Sequence, residues 1–225
     1  MKGKILIPAF AIGRTQELLY ALAAAFRNGR LPKFPVFIDS PMAVRSTEVY
    51  RKHPELFDEE ALELTRSGQL ARELDHVRPI ESAQDSMSLN DMPGPLMIIA
   101  GSGMCTAGRI LHHLRHNLWR PETAVIFVGY QAEGSLGRQL VEGASQVKIF
   151  GESIKVKARI ATINGFSGHA GQGELLEWFD SLAGSRPRVV ITHGEDKSRR
   201  ALAKLIGERH HLRPVLPVEG QTLMS

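Results

Sequence analysis

Residues 96–118, LMIIAGSGMCTAGRILHHLRHNL, set the pattern of the chain. Leu96 to Ala100 is an uninterrupted apolar run after the Pro93-Gly94-Pro95 break and reads as a buried strand. Gly101 to Gly108 reads as a loop, and Arg109 to about Leu118 as a helix. The same unit recurs on both sides. Upstream, a strand from Lys4 to Pro8 runs through Ala9-Phe10-Ala11-Ile12-Gly13 into a helix from Arg14 to about Arg27, with Leu18, Leu19, Leu22 and Phe26 at helical spacing and a stop at Asn28-Gly29. A strand at Val36–Ile38 then meets Asp39-Ser40-Pro41, where Ser40 caps a helix around Val44 to Arg51 and Pro41 takes its first position. Downstream, Ala124 to Val128 leads through Gly129–Ser135 into a helix from Leu136 to Val141. Strands alternating with helices predict an α/β fold with a mostly parallel, doubly wound sheet. In such sheets ligands sit in the crevice beyond the carboxyl ends of the strands.

The remaining segments are less regular. His53 to Asp91 is charged and helix-prone with weak periodicity, and no chemistry is assigned to it. Val147–Phe150 and Ile154–Ile163 read as short strands, with a domain boundary near Ile163. Residues 164–195, NGFSGHAGQGELLEWFDSLAGSRPRVVITHGE, read as a loop carrying His169 and a helix with Leu175, Leu176, Phe179 and Leu182 on one face. A turn at Gly184 to Pro187 and a buried strand from Val189 to Thr192, ending on His193, complete that stretch. Two imidazoles at the ends of rigid elements suit phosphate or metal chemistry, and spacing alone fits two satisfied loop histidines equally well.

Composition bounds the function classes. The 225 residues suffice for one large or two small domains, and 43% hydrophobic with 23% charged content is an ordinary globular balance. A net charge of +4 and a pI near 9.4 permit an acidic partner such as nucleic acid without demanding one. Cys105 is the single cysteine, so no internal disulfide forms. With no secretory pattern at Met1 and no apolar run of spanning length, a cytoplasmic protein without a membrane partner is expected.

The glycine loops fail the stricter nucleotide motifs. Gly103 and Gly108 have the outer spacing of a P-loop, but Arg109 and Ile110 replace its lysine and hydroxyl residue. Thr106 stands where the dinucleotide fingerprint requires its third glycine. What survives is a phosphate cradle of freed amides with Ser102, Gly103 and Arg109 nearby, repeated at Gly134-Ser135-Leu136-Gly137-Arg138. His112 and His116 have zincin spacing, but His113 replaces the glutamate, so all three histidines are expected on a polar helix face toward solvent or a phosphate backbone.

Six stretches in order carry a family resemblance: residues 7–19 (IPAFAIGRTQELL), 39–43 (DSPMA), 101–104 (GSGM), 129–134 (GYQAEG), 166–170 (FSGHA) and 192–195 (THGE). Together they resemble the β-CASP branch of the metallo-β-lactamase fold, RNA-processing nucleases that include RNase J and the endonuclease subunit of the pre-mRNA cleavage and polyadenylation machinery. The resemblance covers essentially the whole chain. It implies that residues 1–163 form a near-complete β-CASP domain and that 164–225 form the C-terminal portion of the αββα lactamase domain.

The resemblance also implies roles. His169 matches the histidine that lies against the scissile phosphate and relays a proton, and His193 matches a ligand of one of two zinc ions. Ser40, Ser102, Gly103, Arg109, Gly134 and Ser135 would hold RNA phosphates in the cleft between the two domains. The family's HxHxDH signature and further ligands precede the IPAFAIGRTQELL stretch, and only Met1 to Ile5 or so stand before it here. One ligand cannot hold two zincs. The expectation is therefore a fragment of a zinc-dependent ribonuclease, incomplete in its metal site and silent alone, with RNA, the N-terminal lactamase part and a second copy of the chain as candidate partners. The alternatives are a non-catalytic RNA-binding module or partner subunit and, disfavoured by the failed fingerprints, a Rossmann-type nucleotide binder.

Overall fold

The computed structural model describes residues 3–166 and 168–223. Ser167 of the FSGHA stretch thus lies outside the described residues. Two compact units emerge, Met1–Ser167 and Gly168–Ser225.

In the first unit β1 (Lys4–Pro8) leads to α1 (Arg14–Arg27), then β2 (Val36–Asp39), α2 (Pro41–Lys52), a short 3-10 turn (Pro54–Leu56), α3 (Glu59–Arg66) and α4 (Gln69–Glu73). Next come β3 (Val77–Pro79), α5 (Ala83–Ser88), β4 (Leu96–Ala100), α6 (Arg109–Asn117), β5 (Ala124–Phe127) and α7 (Leu136–Val141). The unit closes with β6 (Gln146–Ile149), β7 (Glu152–Lys155) and β8 (Arg159–Thr162). Six strands form one all-parallel sheet in the order β3-β2-β4-β1-β5-β8, the doubly wound α/β arrangement.

Side chains alternate across this sheet and so feed two cores. Leu6, Ile98, Val125 and Phe127 face Ile110, Leu114 and Leu118 of the α6 region and Leu140 of α7. Ile5, Ile7, Met97 and Ile99 face Leu18, Leu19, Leu22 and Phe26 of α1. Every residue of β1 and β4 is buried, which is why both strands are apolar almost without interruption.

Three expectations about strands need correction. Ile154–Ile163 is two strands. Phe150 and Gly151, at φ +51° and +82°, make a two-residue turn that pairs β7 antiparallel with β6, and the chain joins the main sheet only at β8. The charged segment 53–91 contains β3, a three-residue edge strand too short for a periodic signal. Finally, Val189–Thr192 is no buried strand: Val190 forms a single bridge to Val215 and is 37% exposed. Pro217, two residues beyond Val215, lacks the N–H group that would extend the ladder.

The second unit packs α8 (Gln172–Ala183) against α9 (Asp196–His210) through Leu176, Phe179 and Ile206. Leu175 and Leu182, expected on the same face, are 38% and 42% exposed. They lie seven residues apart and share the helix side of Trp178, a different stripe from Leu176 and Phe179.

Candidate functional site

Because all six strands run one way, their carboxyl ends share one edge. Ala100 pairs with Pro8 on one side and with Asp39 on the other, so the loops beginning at Ala9, Ser40 and Gly101 leave the sheet at one level.

Asp39 organises that edge. Its carboxylate is fully buried, which is costly unless every oxygen is paired. Oδ1 accepts from Arg109 Nη1 at 2.7 Å; Oδ2 accepts from Ser86 Oγ at 2.6 Å and lies 2.6 Å from His113 Nε2. Burial pushes the Asp39 carboxyl up, but the hydrogen bonds from His113, Ser86 and Arg109 outweigh it and hold it below the ordinary carboxylate value. The network extends through His113 Nδ1 to Asn90 Oδ1 at 3.0 Å, which also accepts from Asn117 Nδ2 at 3.1 Å. Lys4, buried beneath, donates to the Leu89 carbonyl at 2.8 Å and to that of Asn90. Burial, with help from the Arg120 charge and against that of Asp91, lowers its ammonium to about 8.

These contacts differ from two expectations. Arg109 points inward, adding bonds to the Ile80 carbonyl at 3.3 Å and the Glu81 carbonyl at 2.7 Å. The residue expected to meet phosphate thus also neutralises a buried carboxylate. The three histidines of α6 do not share one polar face: His112 and His116 are exposed, while His113 is fully buried. A signal for this existed, since Ile110, His113, Leu114 and Asn117 recur at helical spacing on one side of α6. Asp39 and Ser86, which the sequence reading left without a role, have no such local pattern.

The other cradle residues are placed as follows. Ser40 caps α2, its Oγ accepting from Ala43 N at 3.2 Å. Ser102 Oγ accepts from the Thr106 and Ala107 amides at 3.0 and 3.2 Å and so folds the 101–108 loop on itself. That loop requires Gly108, at φ +82°, where a Cβ would stand 2.4 Å from the Gly101 oxygen. Gly103 gives its carbonyl to the buried Gln131 side chain at 2.9 Å, tying this loop to the next. Gly134, at φ +80°, precedes Ser135, which caps α7 by accepting from Arg138 N at 3.1 Å and donates to the Ala132 carbonyl at 2.7 Å. Cys105 is buried, and burial pushes its thiol up to about 12, so it is no nucleophile at neutral pH.

In the second unit His169 and His193 are both exposed. His169 lies just ahead of α8, and His193, at φ +61°, lies just ahead of Gly194 at +110° and α9. Among the described residues no group of three or more His, Cys, Asp or Glu side chains could hold a metal ion, so they do not by themselves fit a zinc site. No helix among them is long and apolar enough to cross a membrane.

Comparison with known proteins places these features. Residues 15–140 match the family model described as Beta-Casp domain, and residues 153–217 match the model described as Zn-dependent metallo-hydrolase RNA specificity domain. Ribonuclease TTHA0252 of Thermus thermophilus is 43% identical over 208 residues, 92% of this chain and 47% of that protein. Transcription termination factor FttA of Pyrococcus abyssi is 32% identical over 227 residues, 98% of this chain and 35% of that protein. An RNase J-like protein of Methanocaldococcus jannaschii is 29% identical over 221 residues, covering 98% and 50%. The chain spans about half or less of the length of these relatives.

Proposed function

Since the chain belongs to the β-CASP family of metallo-β-lactamase-fold nucleases, we propose that it is the C-terminal part of a zinc-dependent ribonuclease that hydrolyses RNA phosphodiester bonds in RNA processing or decay. The observation that carries this reading is the 43% identity to a ribonuclease across 92% of the chain. In this reading residues 1–163 are the β-CASP domain, residues 164–225 complete the lactamase domain, and the protein is cytoplasmic.

His169 is the proposed proton donor to the leaving oxygen. A side chain positioned to give a proton to the reacting group contributes roughly 10²–10⁴-fold to rate. His193 is proposed as one zinc ligand of a site whose remaining ligands lie in the N-terminal lactamase part of the longer protein. When complete, such a site supplies an activated water. RNA phosphates are proposed to meet the 101–108 and 129–135 loops and Ser40, while Arg109 acts by holding Asp39 and the 80–81 backbone.

The test is made in the full-length parent. His169→Ala should lower RNA cleavage by about 10²–10⁴-fold and leave RNA affinity within about twofold of wild type. Weakened binding with unchanged cleavage per bound complex would contradict the assigned role. The 225-residue chain, dialysed against metal-free buffer, should hold under about a tenth of an equivalent of zinc and cleave no RNA. One or two tightly held equivalents would sink the fragment reading.

A further inference from the structure

The β6–β7 hairpin carries a residue that turn chemistry does not explain. Two-residue turns with positive φ at both positions favour Asn-Gly, yet Phe150 precedes Gly151 here at φ +51°. A bulky side chain in that region is strained, and the Phe150 ring, 53% exposed, gains little burial in return. The exposed His112 of α6 lies beside it, with ring centroids 4.7 Å apart and planes inclined by 37°. Phe150 also lines a cavity of about 340 Å³, with Leu111, Leu136 and Ile149 as apolar wall and Thr106, Ser135 and Lys148 as polar groups. Thr106 and Ser135 belong to the loops after β4 and β5, which places the cavity at the carboxyl edge of the sheet, where α/β folds take ligands.

We propose that this cavity is a nucleotide subsite for single-stranded RNA, with a base stacked on Phe150 and the adjoining phosphate drawn to Lys148. RNA as the ligand rests on the ribonuclease reading; the subsite itself rests on the ring pair, the cavity and the charge. An unpaired base offers a flat π face to an exposed ring whatever its identity, so such stacking is tolerant of sequence. His112 fixes the orientation of the Phe150 ring. The lysine contributes a point charge to the backbone. Two acids of the adjoining segments are paired elsewhere, Glu152 with Arg115 at 2.5 and 2.9 Å and Glu142 with Arg138 at 2.6 Å. Duplex RNA keeps its bases stacked internally and would not use the site.

Fluorescence anisotropy with the 225-residue chain and a short labelled single-stranded RNA tests this. Phe150→Asn should weaken binding about tenfold while keeping or raising the melting temperature, because Asn-Gly suits the turn. Phe150→Tyr keeps the ring and should stay within about twofold of wild type. Lys148→Gln should lower the slope of log affinity against log salt by about 0.7. A blunt RNA duplex should bind wild type and F150N alike. Unchanged single-strand affinity in F150N, equal weakening for duplex and single strand, or no single-strand binding by the wild-type chain would each overturn the subsite. The two readings fail separately. Cleavage by a full-length parent whose F150N variant binds as wild type removes only the subsite; a parent that cleaves no RNA removes the ribonuclease reading, and the single-strand anisotropy still decides the subsite.

Discussion

In the unit Met1–Ser167 the loops after β2 and β4 are tied to one buried carboxylate, Asp39, whereas in Gly168–Ser225 the loops carrying His169 and His193 stay exposed and rest on a core of Leu176, Phe179 and Ile206. The first arrangement fixes a surface from below. Arg109 and His113 of α6 and Ser86 of α5 converge on Asp39, so displacing either helix uncovers a charge. The second carries its histidines on the connections just ahead of α8 and α9. A binding edge can thus be fixed from below within one unit while the candidate catalytic histidines of the other lie at its surface.

The sharpest way to break this contrast is to remove the carboxylate. Asp39→Ala leaves His113 and Arg109 facing a void and should cost about 3–5 kcal/mol in urea denaturation of the chain. A loss below about 1 kcal/mol would mean that the network is incidental to the edge. A glycine pair sharpens the comparison further. Gly108→Ala meets the Gly101 backbone as well as a positive φ and should cost about 2–3 kcal/mol. At Gly194, φ is also positive, but the nearest atom to an added Cβ is Arg199 Cγ at 3.9 Å, so Gly194→Ala should cost only about 1 kcal/mol. Equal costs in melting experiments would show that backbone conformation alone, and not loop packing, sets the cost in both units.

The pH dependence of stability separates two buried charges of the first unit. Asp39 is more acidic folded than its ordinary value of 3.8, so its stabilisation is fully present above that pH and is lost as pH falls through and below it. Lys4 works in the opposite range. Its ammonium falls from 10.5 to about 8 on folding, so between those values the unfolded chain binds more protons and stability rises with pH. Urea titrations from acid to pH 10 should show both limbs, and Lys4→Met should abolish the alkaline rise. Persistence of that rise in the variant would place its origin elsewhere.

How much of this was legible in the chain depended on distance along it. The strand, loop and helix order from Lys4 to Val141 follows from hydrophobic period and punctuation, and Ser40 and Pro41 start α2 as their chemistry requires. The parallel doubly wound sheet follows from that order, and the family from six short motifs carried by it. These are local properties, encoded within a few residues of where they act. Only the tertiary structure decided that Arg109 faces Asp39, 70 residues away, and that His113 meets the same carboxylate across 74. It alone split residues 154–163 into a hairpin arm and a sheet strand, and turned Leu176 inward while Leu175 stayed exposed. A helical period shows that a side chain is on one face, but which partner covers that face, and which charge must be neutralised there, is settled only when distant segments compete for the same buried volume.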